Sequence, residues 1–546
     1  MIEITNHDVS GFLKADGRKL INGEGQEILL RGVGFGSWLL PEGYMWRFPE
    51  QGDRPRRIER MIESLIGKEK SEAFWEMYYD RYITEADIRQ IAAEGFNSIR
   101  VPINARHLIV ESEPIEFNER HIHLIDRVIG WCRTHQLYVV LDLHGASGGQ
   151  TGTNIDDSEY DRPDLFTIER NKELTIALWR MLAERYKDEW IVAGYDLLNE
   201  PLPDWFSAYN GEVMPLYREI VKAIREVDSR HMIILEGVHW ASDWSIFDDR
   251  IDNNLMLQFH KYWNNPDTES IQIYLDKREE WNVPIFMGEG GENNIHWYAG
   301  AFRLFEDHDI SWNFWTWKKM DTDNSPCSIN MPAEWRHLVD YLEGGKKPDQ
   351  ETAERVLLQY LDNLSFDQCI YHPEVVRSLF RKPPVRIPAV FYGYRGEGIS
   401  FGIKERTKRN IGFRLHDGTD IRFLEGARTT ANFQHGGGEA WQPDERMCIQ
   451  LAAEDWLAYE VIIEPFSESS IFTVDLRMYA PTGRGRIMVS VNGTVIGTAG
   501  VNTNVWETVR LAGDFRLDPG HHRIVLNAEE NPVHVEWLEI MPCDPE

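Results

Sequence analysis

The sequence predicts an α/β chain: a closed parallel (β/α)8 barrel followed by an all-β sandwich of jelly-roll type. Three observations carry that expectation. Between about residues 28 and 315, eight short apolar runs alternate with helical patterns, the order of a parallel barrel. Two of those runs, Tyr195-Asp196-Leu197-Leu198-Asn199-Glu200-Pro201 and Val283-Pro284-Ile285-Phe286-Met287-Gly288-Glu289-Gly290-Gly291, deliver a glutamate into a turn, where such folds place their active sites. Beyond about residue 391 the pattern turns to period two, as in a sandwich. An open doubly wound sheet is the competing fold, but Gly32-x-Gly34-x-Gly36 lacks the spacing of its phosphate-binding loop.

In chain order, residues 12–30 alternate around Asp16-Gly17-Arg18 and Asn22-Gly23-Glu24, a hairpin with tight turns that caps one end of the barrel. The first strand is Ile28–Phe35. A helical stretch over 71–94 breaks near Thr84, which caps its second half. Strands then alternate with helices: Phe96–Ile103, helix 118–136, Leu137–Leu143, helix 173–186, and the strand ending at Glu200. Helix 214–226 leads to strands Met232–Leu235 and Leu255–Phe259; helix 271–281, the strand ending at Glu289, helix 299–307 and strand Ile310–Trp315 complete the set. Helix 118–136 shows Ile122, Ile125, Ile129 and Cys132 at intervals of three and four. The domains expected are 1–345 for the barrel with its hairpin, 346–390 for a connector and 391–546 for the sandwich. The connector is helical and polar over 347–380 and stiff at Lys382-Pro383-Pro384-Val385-Arg386-Ile387-Pro388. In the sandwich, Asn492-Gly493 marks a hairpin.

Composition bounds the function. With 42% hydrophobic residues and 20 Trp the chain can bury a large core. Its net charge of -31 repels nucleic acid and anionic membranes, and a neutral ligand fits better. No apolar run is long enough to suggest a membrane span. The five cysteines are scattered and unpaired by spacing, against disulfides and structural zinc. The Met1-Ile2-Glu3-Ile4 start shows no secretory signal. A cytoplasmic location is the expectation, or a secreted one for a chain that has lost its leader.

Other strand ends bring polar groups to the same lip: Arg100, His144, His260 with Tyr262, and Trp315. Paired glutamates fit a retaining glycosidase, in which one carboxylate attacks the anomeric carbon while the other protonates the leaving oxygen. Asn199-Glu200-Pro201, Gly288-Glu289, Ser98-Ile99-Arg100-Val101-Pro102, Asp142-Leu143-His144, Phe259-His260-Lys261-Tyr262 and Phe314-Trp315-Thr316-Trp317-Lys318 resemble glycoside hydrolase family 5 over roughly residues 28–322. The resemblance implies Glu200 as acid/base and Glu289 as nucleophile. It further implies Asn199 on the sugar 2-hydroxyl, Arg100 and Tyr262 on the nucleophile, His144 and His260 lining the sugar site, and Trp315 as its floor. Trp315 is preferred over Trp312 and Trp317 on period two and the motif. His121-x-His123 reads as helix surface, and neither metal nor cofactor is expected.

Gly36-Ser37-Trp38-Leu39-Leu40-Pro41-Glu42 is similar to the Gly-Gly-Trp-x-x-x-Glu stretch of fungal exo-β-1,3-glucanases in that family, with Ser37 in place of a glycine. It implies that Glu42 grips the terminal sugar and closes the cleft into a pocket. Residues 430–541 resemble carbohydrate-binding modules of families 6 and 35, through Asp455-Trp456-Leu457-Ala458-Tyr459-Glu460 and Asn504-Val505-Trp506-Glu507-Thr508-Val509. Trp441 and Trp506 are candidate sugar platforms and Trp456 a core residue, with bracing of the barrel the favoured role. The expected substrates are short β-glucosides or β-mannosides cut from one end. The alternatives are an endo-β-1,4-glucanase or β-mannanase with an open cleft, and a sugar-binding protein on an inactive barrel.

Overall fold

The structure, a computed structural model, describes residues 8–464, 471–511 and 513–543, and the Met1-Ile2-Glu3-Ile4 start lies outside them. Eight parallel strands close into a barrel in chain order: β1 (Arg31–Gly34), β2 (Ser98–Asn104), β3 (Tyr138–Gly145), β4 (Val192–Asp196), β5 (Met232–Glu236), β6 (Leu255–Lys261), β7 (Ile285–Gly291) and β8 (Ser311–Trp315). Every residue of β2 to β8 is buried, which is why these strands read as unbroken apolar runs.

The helices between them follow from their stripes. Glu119–His135 buries Ile122, Ile125, Val128, Ile129 and Cys132 and stops at Gln136 in the left-handed region. The 71–94 stretch is two helices, Lys68–Arg81 and Glu85–Ala93. Thr84 starts the second, its N–H held by the Asp87 carboxylate at 2.9 Å. A further helix, Pro55–Ile66, buries Ile58, Met61, Ile62, Leu65 and Ile66 behind a proline in its first turn. The hairpin Lys14–Asp16/Lys19–Ile21 lies at the N-terminal ends of the strands: Ala15 N–H reaches Asn254 Oδ1 at 2.8 Å, beside the start of β6. The opposite, C-terminal rim is thus left open for loops.

The chain divides into two compact units. The first holds the chain up to Lys261, Tyr274–Gly291 and Ile310–Tyr371; the second holds Tyr262–Ile273, Glu292–Asp309 and everything from His372. Helix Ile295–Asp307, which joins β7 to β8 in sequence, therefore belongs to the second unit. It is buried on all sides from Trp297 to Phe305, the mark of a helix with no solvent face. Phe391 packs on its Gly300, where a Cβ would stand 2.7 Å from the ring. Arg381 donates to Ala299 O at 2.8 and 2.6 Å, and Asn294 Nδ2 to Glu439 O at 3.0 Å.

Two antiparallel sheets make up the rest of that unit. Asn492-Gly493, both at positive φ, turn Gly485–Val491 into Thr494–Val501 as expected. Val385–Pro388, in the stiff proline-rich junction, pairs antiparallel with Trp537–Ile540, an edge position that tolerates proline. One expectation is corrected. Trp456 is not core. Period two buries Leu457, Tyr459 and Val461 and turns Trp456 outward, under the Arg523 guanidinium at 5.6 Å. Trp441 packs among Phe391, Phe433 and His296, and Trp506 against Tyr479.

Candidate active site

Arg100 organises the C-terminal lip of the barrel. Its side chain is fully buried, so every donor needs a partner. Nε donates to Asp196 Oδ2 at 2.8 Å, Nη2 to Asn199 Oδ1 at 2.9 Å and Glu236 Oε1 at 3.0 Å, and Nη1 to Glu289. Asp142 Oδ1 lies 3.2 Å from Nη2. Burial opposes the guanidinium charge, but Asp142, Asp196, Glu289 and Glu236 outweigh it and hold the arginine charged. Asp196 moves the other way: burial first, then Glu236, push its carboxyl well above the usual range.

Glu289 lies within β7, and its carboxylate meets Arg100 and two imidazoles. His144 Nδ1 is 3.9 Å from Glu289 Oε1 and 2.7 Å from Asp142 Oδ2; His260 Nδ1 is 3.6 Å from Glu289 Oε2. Burial works against both charges. Asp142, Glu289 and Glu42 nevertheless raise His144 to about 9, and Glu236, Glu289 and Glu200 raise His260.

Glu200 does not end its strand: β4 stops at Asp196, and Glu200 stands in the loop beyond with φ at 44°. A left-handed glutamate needs support. Glu236 Oε2 accepts its backbone N–H at 2.7 Å, and His260 Nδ1 meets its Oε1 at 2.6 Å. Gln150, fully buried, ties the same loop to β3 by donating to Asn199 O at 2.9 Å and His144 O at 2.7 Å. Asn199 Nδ2 lies 3.4 Å from His144 Nε2. One oxygen each of Glu200 and Glu289, with a ring nitrogen of His260, lie within 4.8 Å of one another.

Trp315 stacks parallel on His144, ring centroids 5.4 Å apart, and its Nε1 donates to Tyr44 Oη at 2.9 Å. Gly34 and Gly36 now have a reason: a Cβ on either would stand 2.6 or 2.8 Å from that indole. Trp312 instead meets Phe96, and Trp317 donates to Asp87. Glu42 is buried, its Oε1 3.9 Å from His144 Nε2. Ser37 takes the left-handed φ of 68° that a glycine would favour, and its Oγ receives Trp46 Nε1 at 2.9 Å and Glu42 N at 3.2 Å. Tyr262 falls in the second unit, its ring tilted against Trp263. His121 stacks on His107 and is pushed down to about 3 by burial.

Two groups bring potential metal ligands together, Asp142-His144-Glu289 and Glu200-His260-Glu289. Their histidines carry raised pKa values and Glu289 already receives Arg100, so an ion would have to displace protons and a guanidinium.

Residues 62–321 match the model of the cellulase family, glycosyl hydrolase family 5. The barrel is thus similar to the catalytic domains of that family over slightly less than half of the chain. A β-xylosidase of Phanerodontia chrysosporium is 33% identical over 238 residues, covering 44% of this chain and 48% of that one; the chain thus spans about half of that relative. Endoglucanase C of Acetivibrio thermocellus is 26% identical over 314 residues, with 46% and 88% covered. A probable glucan 1,3-β-glucosidase A of Aspergillus clavatus is 27% identical over 243 residues, with 43% and 56% covered. Among solved structures, Thermotoga maritima Cel5A in complex with cellobiose aligns at 19% identity and a TM-score of 0.40, covering 60% of this chain and 97% of that one.

Sequence reading of the barrel missed Glu236 and Gln258. Gln258 Nε2 bonds Glu236 and lies 3.1 Å from both Asp196 Oδ2 and His260 Nε2. The available signal was Leu235-Glu236-Gly237, a third glutamate at a strand end beside a glycine.

Proposed function

We propose that this protein is a retaining β-glycosidase that removes single sugars from the ends of short β-glycosides. The observation that carries the reading is the facing pair Glu200 and Glu289, with oxygens within 4.8 Å, matching the roughly 5 Å spacing of retaining enzymes. Glu289, oriented by Arg100, attacks the anomeric carbon and forms a glycosyl ester as the bond to the leaving oxygen breaks. Glu200, whose Oε1 lies 2.6 Å from His260 Nδ1, protonates that oxygen. Glu200 then takes a proton from water, whose oxygen attacks the same carbon and frees Glu289. In this reading Asn199, directed by Arg100, donates to the 2-hydroxyl, and Trp315 and His144 form the floor and wall of the sugar site.

End-wise action is supported by Glu42 and Tyr44, which bring the segment after β1 against His144 and Trp315. A sugar equatorial at C2 is favoured over mannose because two of the relatives are named for xylosidase and glucosidase activity. The C-terminal β-domain is read as a brace, since it packs on the helix between β7 and β8 and its Trp441 is committed to aromatic packing.

Hydrolysis of p-nitrophenyl β-glucoside, xyloside, mannoside and galactoside, beside cello-, laminari-, xylo- and manno-oligosaccharides, tests this. Fast turnover of one monosaccharide substrate, with only that monosaccharide released from a hexasaccharide, is expected. Silence on the aryl glycosides with a ladder of intermediates from the long chains would instead establish an endo-acting cleft.

A further inference from the structure

A cavity of about 540 Å³ lies between helices Pro55–Ile66, Lys68–Arg81 and Glu119–His135, within the roughly 300–1,000 Å³ of small-molecule sites, and it shares no residue with the catalytic lip. Lys68–Arg81 contributes positions 68, 71, 72, 75, 76, 79 and 80, the stripe that three-four spacing puts on one helix face. That stripe is polar or charged except for two aromatic rings, Trp75 and Tyr79. Tyr78 and Tyr82, on the neighbouring face, hold barrel loops instead: Tyr78 Oη donates to Ser37 O, and Tyr82 Oη to Lys318 O at 2.8 Å.

The rings form a cluster with unused polar atoms. Trp75 packs against Tyr79 at 5.9 Å, yet its Nε1 is shielded from water and has no hydrogen-bond partner, a cost that a ligand hydroxyl would remove. His107 and His121, both in the lining, stack at 4.9 Å and 26°, and His121 meets the Tyr79 ring edge to face at 5.1 Å. Glu59 takes His107 Nε2 at 2.9 Å. Neither ring nitrogen of His121 has a hydrogen-bond partner among the described residues. Burial, helped by the His107 charge, keeps this imidazole neutral at physiological pH, so one nitrogen can donate and the other accept.

Charge decides what such a cavity could hold. Five carboxylates line it, and four are met by cations: Glu59 by Arg106 at 2.8 Å, Glu72 by Lys68 at 3.9 Å, Glu76 by Arg120, and Asp80 by Arg127 at 2.6 Å. The field of the lining is largely cancelled by these pairs, while carboxylate lone pairs remain to accept hydrogen bonds. A ligand rich in hydroxyls, with apolar faces and no net charge, suits that combination better than a cation or an anion. We infer that this cavity is a second binding site, separate from the catalytic one, for a neutral saccharide. Its rings would pack on the C–H face of a pyranose, and its carboxylates and His121 would bond the hydroxyls. It holds sugar without cutting it, because the paired glutamates lie elsewhere.

The test is calorimetric titration of cello-, laminari-, xylo- and manno-hexaose into the full chain carrying Glu289→Ala. At least one hexasaccharide is expected to show a binding component that Trp75→Ala and His121→Ala, each added to that background, weaken about ten-fold or more. Trp75→Phe, which keeps a ring, should leave it within about three-fold. His121→Ala keeps the test usable if loss of the Trp75 ring harms folding. Binding identical in every variant, no binding of any hexasaccharide up to about 10 mM, or binding of spermidine alone through the same residues overturns the saccharide site. The titration reads binding and not turnover, so its outcome is separate from the roles assigned to Glu200 and Glu289.

Discussion

The two glutamates of the site are held in opposite ways. Glu289 lies within a barrel strand, in register beside His260 of β6, and is approached by a fully buried arginine and two imidazoles. Glu200 stands past the end of its strand at a left-handed φ, and Glu236, His260 and the Gln150 bridge help fix its loop. A group that must attack one carbon along one line gains from a position set by the sheet itself. In the proposed mechanism the group that serves as acid and then as base is the one on the loop, and the chemistry divides between the strand lattice and a strained loop.

The sharpest break in this comparison comes from removing the strand-borne carboxylate. Glu289→Ala is expected to lose more than about 10⁴-fold in kcat on every substrate, with or without azide. Azide rescue there, with product of retained configuration, would reverse the two roles. On the loop side, Glu200→Ala should lose about 10³-fold on a disaccharide. It should recover turnover of an aryl glycoside in azide, because the small anion needs no base to attack the glycosyl ester; the β-glycosyl azide is the product to detect.

Glu236 tests whether the loop is positioned from below. Glu236→Gln should lower kcat about ten-fold with little change in KM. Because Glu236 is the leading charge that raises His260, the alkaline limb of the pH profile should also move to lower pH. A merely structural Glu236 would leave that limb in place.

The smallest effect concerns stability. His144 is raised from 6.5 to about 9 in the folded protein. The stability this contributes is complete below the unfolded value and is lost as pH rises through about 9. Urea midpoints measured from pH 6 to 10 should therefore decline more steeply in the wild type than in His144→Asn. Equal slopes would mean that His144 is not held charged.

Much of this was legible in the sequence, and the reasons for success and failure differ by element. The strands were legible because a parallel barrel buries both faces, and Thr84 marked a cap, whereas the close approach of Gly34 and Gly36 to Trp315 shows only in the fold. Arg100 stood out as a charge inside an apolar strand, and Trp315 at a strand end. Helix Pro55–Ile66 carried a clean three-four pattern at Ile58, Met61, Ile62, Leu65 and Ile66, so it was readable though not read. Glu236 was not, because a glutamate at a strand end does not show whether it faces solvent or an arginine. Trp456 was placed in the core because a tryptophan in a strand suggests burial, whereas the register buries its neighbours Leu457 and Tyr459. The all-buried helix Ile295–Asp307 already indicated that its outer face is covered, but only the fold shows that the β-domain does it.

The most direct test of the central claim is to trap the covalent intermediate. The protein would be incubated with the 2-deoxy-2-fluoroglycosyl fluoride of its preferred sugar, digested, and the labelled peptide sequenced by mass spectrometry. The account predicts stoichiometric labelling of Glu289 and inactivation that is slowed by competing substrate. A label on Glu200, or turnover that inverts the anomeric configuration without any label, would contradict it.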